Sequence, residues 1–279
     1  MPSADSVVRS IGPGFTGGVR DPDARLQDGD KATGARAIHR ALAILECFAT
    51  GQREIGINDL AKSLALSPST VHRIVRALVE RGYLAQNQQS TRYTLGPTMI
   101  VLGQVTQRLF GLDRVVPLLE EVGRRYGEGV TFGMRDGASV VVLAQVESTK
   151  PMRFGHPPGT RLPLYASALG KALLAGSRDV RAELGALGTL APLTARTLHG
   201  HRTLSADLAT TLARGYAIDD EESVMGVRAV AAPVVGRGGE VIAALGIEGP
   251  SEHLPDAWVR QIGKELPGWA QRVATVISL

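Results

Sequence analysis

The sequence predicts an α+β chain in two parts joined by a helix: a small N-terminal unit of three helices and a two-stranded ribbon, then a larger domain of mixed helices and strands. Three observations carry this reading. Apolar residues recur at helical spacing in three short segments between residues 35 and 82. Two short strand-like segments follow them around a polar turn. From residue 113 onward helical and strand patterns interleave over a length that suits one further domain of ~100 to 200 residues.

Residues 1–34 are rich in Gly, Pro, Asp and Ser without apolar periodicity, the composition of a disordered tail. At Ala35 the character changes. Ile38, Leu42, Leu45 and Phe48 recur at helical spacing, with Ala41, Ala43 and Ala49 between them, and predict an amphipathic helix ending near Gly51. A short second helix lies in INDLAKSLAL, with Asn58 as its expected N-cap and Leu60, Ala61 and Leu64 on one face. The third begins at Ser67, a good N-cap, with Pro68 at the first helical position, where its missing amide costs nothing. Its apolar positions Val71, Ile74, Val75, Leu78 and Val79 follow the helical repeat, and Gly82 closes it. Strands are expected over 83–86 and 92–95. Three helices with a tight turn between the second and third, then a ribbon, is the order of a winged helix-turn-helix over residues 35–96.

Residues 97–112 predict a linker helix. Its run MIVLGQVTQRLF is apolar on most sides, which suits packing against a second copy or a neighbouring domain. In the domain over 113–279, helices are expected at 115–126, 168–175, 180–187, 204–214 and 257–277, and strands at 130–134, 140–146, 227–235 and 241–248. The last two strands are joined by the glycine-rich turn GRGGE.

Charge is segregated. Residues 1–34 carry four basic and five acidic side chains, 35–96 eight and four, and 97–279 nineteen and eighteen. The net charge of +4 therefore sits in the 62-residue segment that reads as a helix-turn-helix. Arginine abundance alone says little, because arginines run along the whole chain. Local net positive charge is the footprint of a polyanion partner. On the third helix the face opposite the apolar stripe carries Ser69, Thr70, His72, Arg73 and Arg76. Arg73 and Arg76 suit guanine edges or phosphates, His72 and Thr70 bases or backbone, and Ser67 and Ser69 phosphate at the helix N-terminus. Arg92 in the wing is a candidate phosphate contact. An ordinary solvated face is the plainer alternative for any one of these taken singly.

Several classes are excluded. With a mean hydropathy of +0.03, the chain has no stretch near the ~18 apolar residues a membrane span needs, and its first thirty residues have no signal-peptide core. A cytoplasmic location is expected. The single cysteine, Cys47, rules out an internal disulfide and a cysteine-based zinc site; it falls on the buried side of the first helix, as a small hydrophobe. His39, His199, His201 and the acidic run Asp219, Asp220, Glu221, Glu222 match no strong ligand spacing, so no metal or other cofactor is expected. The acidic run reads as a solvated strand edge.

In GTRLPLYASALGKALLAG, Ser167 caps a helix whose first amides belong to Ala168, Leu169 and Gly170. Such an N-terminus suits a carboxylate or phosphate, a plain packed helix being the alternative. Lys171 reads as a structural or charge-pairing residue rather than a Schiff-base lysine. Enzymatic use of Lys171 or the acidic run lacks a recognisable nucleophile, base and orienting partner.

The motifs RALAIL, LALSPSTVHRIVRALVERGYL and RYTLGP, followed in order by PGTRLPLYASALGKALLA, LTARTL, RGYAIDDEESVMGVRAVAAPV and ALGIEGP, resemble the IclR family of bacterial transcription regulators over essentially Ala35 to the C-terminus. The resemblance implies a winged helix-turn-helix for double-stranded operator DNA, a GAF-like domain for a small-molecule effector, pairing through the DNA-binding domains, and homodimers or homotetramers. It implies a regulator, more often a repressor, rather than an enzyme; an architectural DNA-binding protein without effector is the alternative. Carried over residue by residue, the effector positions are Ala168 and Leu169, Asp219, Ala229, and Gly246 with Glu248, with Phe154 a further candidate. Ala229 stands where the family often has cysteine, Gly246 where serine is common, and Glu248 where a hydroxyl would serve an anion. An inward Glu248 would repel a carboxylate ligand, so either the effector is not a simple acid, or Glu248 turns away or pairs with an arginine such as Arg228.

Overall fold

In the computed structural model, residues 33–50 and 52–277 are described. The expectation for the tail lies outside them except at its last two residues, where the first helix already begins. The described residues form two compact units divided after Val105.

In the first unit, α1 (Thr33–Cys47) runs into a 3-10 turn (Phe48–Thr50), followed by α2 (Ile57–Ser63), α3 (Pro68–Glu80), β1 (Leu84–Gln86) and β2 (Tyr93–Leu95). The core joins Ala43, Ile44, Cys47 and Phe48 to Leu60, Leu64, Val71, Val75 and Leu84. This corrects the reading of α1. Ile38 and Leu42 are 63% and 52% exposed; the alanines widen the apolar surface so far that the repeat does not select which flank is buried. Cys47 is buried, and burial, with Glu46 beside it, pushes its thiol pKa up. Asn58 lies inside α2 rather than capping it. Gly56 is the cap, and its N–H donates to the Asp59 carboxylate at 3.3 Å. β1 and β2 pair antiparallel, Ala85 opposite Thr94.

The helix α4 (Pro97–Phe110) buries none of its residues; Ile100, Val101, Leu102, Val105 and Leu109 are all exposed. No helix among the described residues is long and apolar enough to cross a membrane.

The second unit is built on a six-stranded antiparallel sheet in the order β5-β4-β3-β8-β7-β6, formed by β3 (Gly129–Asp136), β4 (Ser139–Val146), β5 (Arg161–Pro163), β6 (Ala217–Asp220), β7 (Val227–Val235) and β8 (Val241–Pro250). Alternation along the strands sends Val130, Phe132, Val230, Ala232, Leu245 and Ile247 to one face, beneath α5 (Leu112–Tyr126) and α9 (Asp256–Val276). Ala231 and Ala244 face the other way, beneath α6 (Ala168–Ala175), with α7 (Val180–Leu187) and α8 (His201–Arg214) completing that layer. Periodicity misses β5, three residues at the sheet edge, where Pro163 is tolerated because no further strand needs its N–H. It also underreads β6, which it takes only as a strand end.

The second core is tight where α6 meets the chain before it. A Cβ on Gly170 would lie 2.4 Å from the Leu164 Cα and carbonyl oxygen, both backbone atoms that cannot swing aside. Gly170→Ala is therefore expected to destabilise this unit by about 1 to 3 kcal/mol, as overpacking does, read as a lowered midpoint in thermal unfolding; an unchanged midpoint would contradict the close approach.

Candidate DNA-recognition helix and effector cavity

Ser67 caps α3 as its sequence position implies. Its Oγ accepts from the Thr70 N–H at 3.3 Å and lies 3.1 and 2.8 Å from the hydroxyls of Ser69 and Thr70. Val71 and Val75 are buried beneath the helix, which leaves Ser69, His72, Arg73 and Arg76 exposed and Thr70 half-buried. Arg76 holds Glu80 at 3.1 Å one turn along, an exposed pair of little energetic worth. Arg73 has no partner among the described residues. Arg92 is partly engaged, since its guanidinium lies 2.6 Å from Asp59 and so ties the ribbon to α2.

In the second unit, six of the seven effector candidates, Ala168, Leu169, Asp219, Ala229, Gly246 and Glu248, line one small cavity between α6 and the sheet. Thr131, His156, Ser167 and Ser223 complete its polar wall. Phe154 is the exception. It lines a separate concavity with Gln145 and Arg153, and its ring stands edge-on to the His156 ring at 4.9 Å.

Strand register explains why residues so far apart in sequence meet. Asp219 on β6 pairs with Ala229 on β7, which pairs with Glu248 on β8. Directly cross-strand residues share a face. One row of the sheet thus carries a carboxylate, a methyl and a second carboxylate toward the cavity. In the neighbouring row Ala231 pairs with Gly246 and Gly246 with Thr131. A Cβ on Gly246 would lie 3.0 Å from Leu169 and 3.2 Å from the Thr131 hydroxyl, so glycine there keeps the row open. Above it, the Ser167 hydroxyl accepts from the Gly170 N–H at 3.1 Å, and the amides of Ala168 and Leu169 have no backbone acceptor among the described residues.

The acidic run is not a solvated edge, which corrects the sequence reading. Asp219 is 2% exposed and Glu222 is buried with it, while Asp220 and Glu221 lie nearer solvent around Arg196. The Asp219 carboxylate accepts from the backbone N–H of Glu222 at 2.7 Å, from that of Ser223 at 3.2 Å and from the Ser223 hydroxyl. Burial still dominates and pushes its pKa up to about 6. Glu222 is raised to about 7 by burial, despite a 2.5 Å bond from Lys171. Lys171 is fully buried, 3.0 Å from Asp207 as well, and so pairs charge, binding α6 to the acidic turn and to α8.

Glu248 faces the cavity at 4% exposure and pairs with a residue that sequence reasoning missed. Its two oxygens lie 3.0 Å from the His156 backbone N–H and 2.7 Å from His156 Nδ1. Arg228 is engaged elsewhere, with Asp220 and Asp256. Burial works against a charged His156, but the Glu248 carboxylate outweighs it and the pKa is raised. His199 and His201 lie against the carbonyls of Thr197 and Gly188 at 3.0 Å, outside the acidic cluster. The described residues contain no group of three or more His, Cys, Asp or Glu able to hold a metal ion.

These groups predict a pH dependence. Asp219, Glu222 and His156 all have folded pKa values above their unfolded ones, so the folded state binds more protons across the interval. The stability they contribute is fully present below the unfolded values and is lost as pH rises through the folded values of about 6 and 7. Thermal unfolding at pH 5, 6.5 and 8 is expected to show the second unit weakening toward pH 8, by roughly 1 to 1.5 kcal/mol from Asp219 alone. Asp219→Asn is expected to make the profile shallower by the Asp219 share, with Glu222 and His156 keeping the rest, and an unchanged profile would assign the effect elsewhere.

A winged helix-turn-helix with an exposed basic face on α3, followed by a second unit holding a polar cavity, defines a DNA-binding transcription regulator. Residues 37–88 match the IclR helix-turn-helix domain and residues 105–275 match the bacterial transcriptional regulator IclR C-terminal domain. The chain belongs to the IclR family. Over 227 residues it is 37% identical to the HTH-type transcriptional regulator BhcR of Paracoccus denitrificans, covering 80% of this chain and 81% of that one. It is 31% identical over 237 residues to the transcriptional repressor IclR of Escherichia coli, covering 83% and 86%. Among solved structures, an IclR regulator from Alicyclobacillus acidocaldarius superposes with a TM-score of 0.78 at 22% identity, covering 87% of this chain and 98% of that one. A homologue from Microbacterium hydrocarbonoxydans complexed with 4-hydroxybenzoate gives 0.73 at 23%, covering 86% and 99%. The family consists of transcription regulators, not enzymes, and the α+β class and helix-turn-helix stand as the sequence implied.

Proposed function

We propose that this chain is an operator-specific repressor whose hold on DNA is set by a small molecule bound between α6 and the sheet. The observation that carries the reading is the cavity itself: six positions from α6, β6, β7 and β8 converge there, beside the first amides of α6. Repression is the sense favoured by relatives named as repressors, the IclR repressor of Escherichia coli among them. On the DNA side, Arg73 and Arg76 read bases or phosphates, His72 and Thr70 assist, Ser67 and Ser69 place a phosphate at the α3 N-terminus, and Arg92 reaches the backbone from the wing. The domains we assign are 35–96, a linker over 97–112, and 113–279. The exposed apolar surfaces of α1 and α4 support assembly into dimers or tetramers, since so large an apolar surface is rarely left in water.

The test is selection of duplex DNA from a random pool by the full-length protein, followed by binding measured at several salt concentrations with and without candidate small molecules. A preferred sequence bound ~10³-fold or more above random DNA, and weakened by a ligand, is the expected result. Salt-dependent binding with no sequence preference and no ligand response would instead make the protein architectural.

A further inference from the structure

The cavity is unusual in the balance of its hydrogen-bonding groups. Asp219 and Glu248 stand on either side of Ala229 in one cross-strand row, two strand spacings or about 9 to 10 Å apart at the backbone. Both are buried and both line the cavity. Independently of these acids, the Thr131 side chain is 1% exposed and lines the same space, where its hydroxyl can accept or donate a hydrogen bond. The groups that can only donate are the Ala168 and Leu169 amides, while Asp219 and Glu248, when ionised, can only accept.

We propose that the effector is an uncharged or cationic molecule bearing hydroxyl, amide or amine donors, laid across Ala229 with its donors toward Glu248, Asp219 and Thr131 and an acceptor toward the α6 amides, and that Glu248 excludes simple carboxylates. The inference rests on the effector-binding reading above and adds its ligand class. A carboxylate entering this space meets Glu248, whose charge His156 offsets in part, and Asp219, whose hydrogen bonds come only from the uncharged backbone and hydroxyl groups of Glu222 and Ser223, so a further buried anion there is costly. A hydroxyl or N–H donor meets acceptors with lone pairs to spare, because each Glu248 oxygen accepts one bond from His156 and keeps a second lone pair. His156 is the positioning residue. It clasps Glu248 through backbone and ring, holding the carboxylate at the cavity wall.

The test compares matched molecules that differ only in the polar group: glycolate, glycolamide and ethanolamine, and benzoate, benzamide and benzylamine. Each is titrated at up to millimolar concentration into the full-length protein by thermal shift and calorimetry. The wild type, Glu248→Ser and Glu248→Gln are compared, the last keeping side-chain volume and the clasp. In at least one trio the amide or amine is expected to bind the wild type at least tenfold more tightly than the acid. That ratio is expected to fall at least tenfold in Glu248→Ser and to fall for the amine, but not the amide, in Glu248→Gln. An acid that binds the wild type as well as its amide, unaffected by either substitution, overturns the ligand class while leaving the effector reading standing. If no member of either trio binds any of the three proteins, both fall.

Discussion

Lys171→Met is expected to unfold the second unit about 3 to 5 kcal/mol more easily than wild type, the usual consequence of removing one partner from a buried ionic cluster. For a domain of this size that is a midpoint lower by on the order of 10 °C. The loss is not of a favourable contact alone. Lys171 is fully buried between Glu222 at 2.5 Å and Asp207 at 3.0 Å, and the second oxygen of Glu222 is already without a hydrogen-bond partner among the described residues. Methionine fills similar space but leaves two facing carboxylates with no cation between them. Glu222, held to about 7 only because Lys171 partly offsets its burial, would rise further. The defect should therefore be larger at pH 8 than at pH 5, where protonation removes most of the uncompensated charge. Lys171→Met with Glu222→Gln should recover a substantial part of the stability, since the double change takes out the more buried of the two charges and Asp207 keeps Arg214 at 4.0 Å. Equal loss in single and double variants would place the role of Lys171 in packing rather than charge.

This cluster also marks the limit of what the linear sequence discloses. The stripe Val71, Ile74, Val75, Leu78, Val79, the Ser67-Pro68 start and the β7–β8 hairpin are all local signals, and the structure keeps them where periodicity and capping chemistry put them. Charge burial is a different matter. The run from Asp219 to Glu222 looks like any solvated edge until a lysine fifty-one residues earlier is brought against it. His156 and Glu248 are ninety-two residues apart, and nothing near either predicts the pairing. The cavity positions are nameable from the family motifs, but that Asp219, Ala229 and Glu248 form a single row needs the register of three strands. The outward turn of Ile38 and Leu42 was hidden for a simpler reason: with alanine at several intervening positions, α1 offers more than one acceptable buried face.

The sharpest expectation at the other end of the chain concerns Arg73. Arg73→Ala should cost about 1 to 3 kcal/mol in operator binding if the guanidinium reads a guanine edge, a loss of roughly five- to a hundredfold, with sequence preference relaxed at one position. If it contacts phosphate, affinity should fall evenly across sequences and the salt dependence should drop by about one counterion. The two outcomes separate in one experiment, by titrating the variant against the selected operator, its single-base variants and random duplex at three salt concentrations. Arg73 is the informative position because it is exposed on α3 and is held by no acidic neighbour, whereas Arg76 is shared with Glu80 and Arg92 with Asp59. Removing either of those also frees a carboxylate close to the DNA, which confuses the reading. Folding is not at stake, since the buried side of α3 is carried by Val71 and Val75. A variant with unchanged operator affinity, preference and salt slope would show that the exposed face of α3 is not the face that meets DNA.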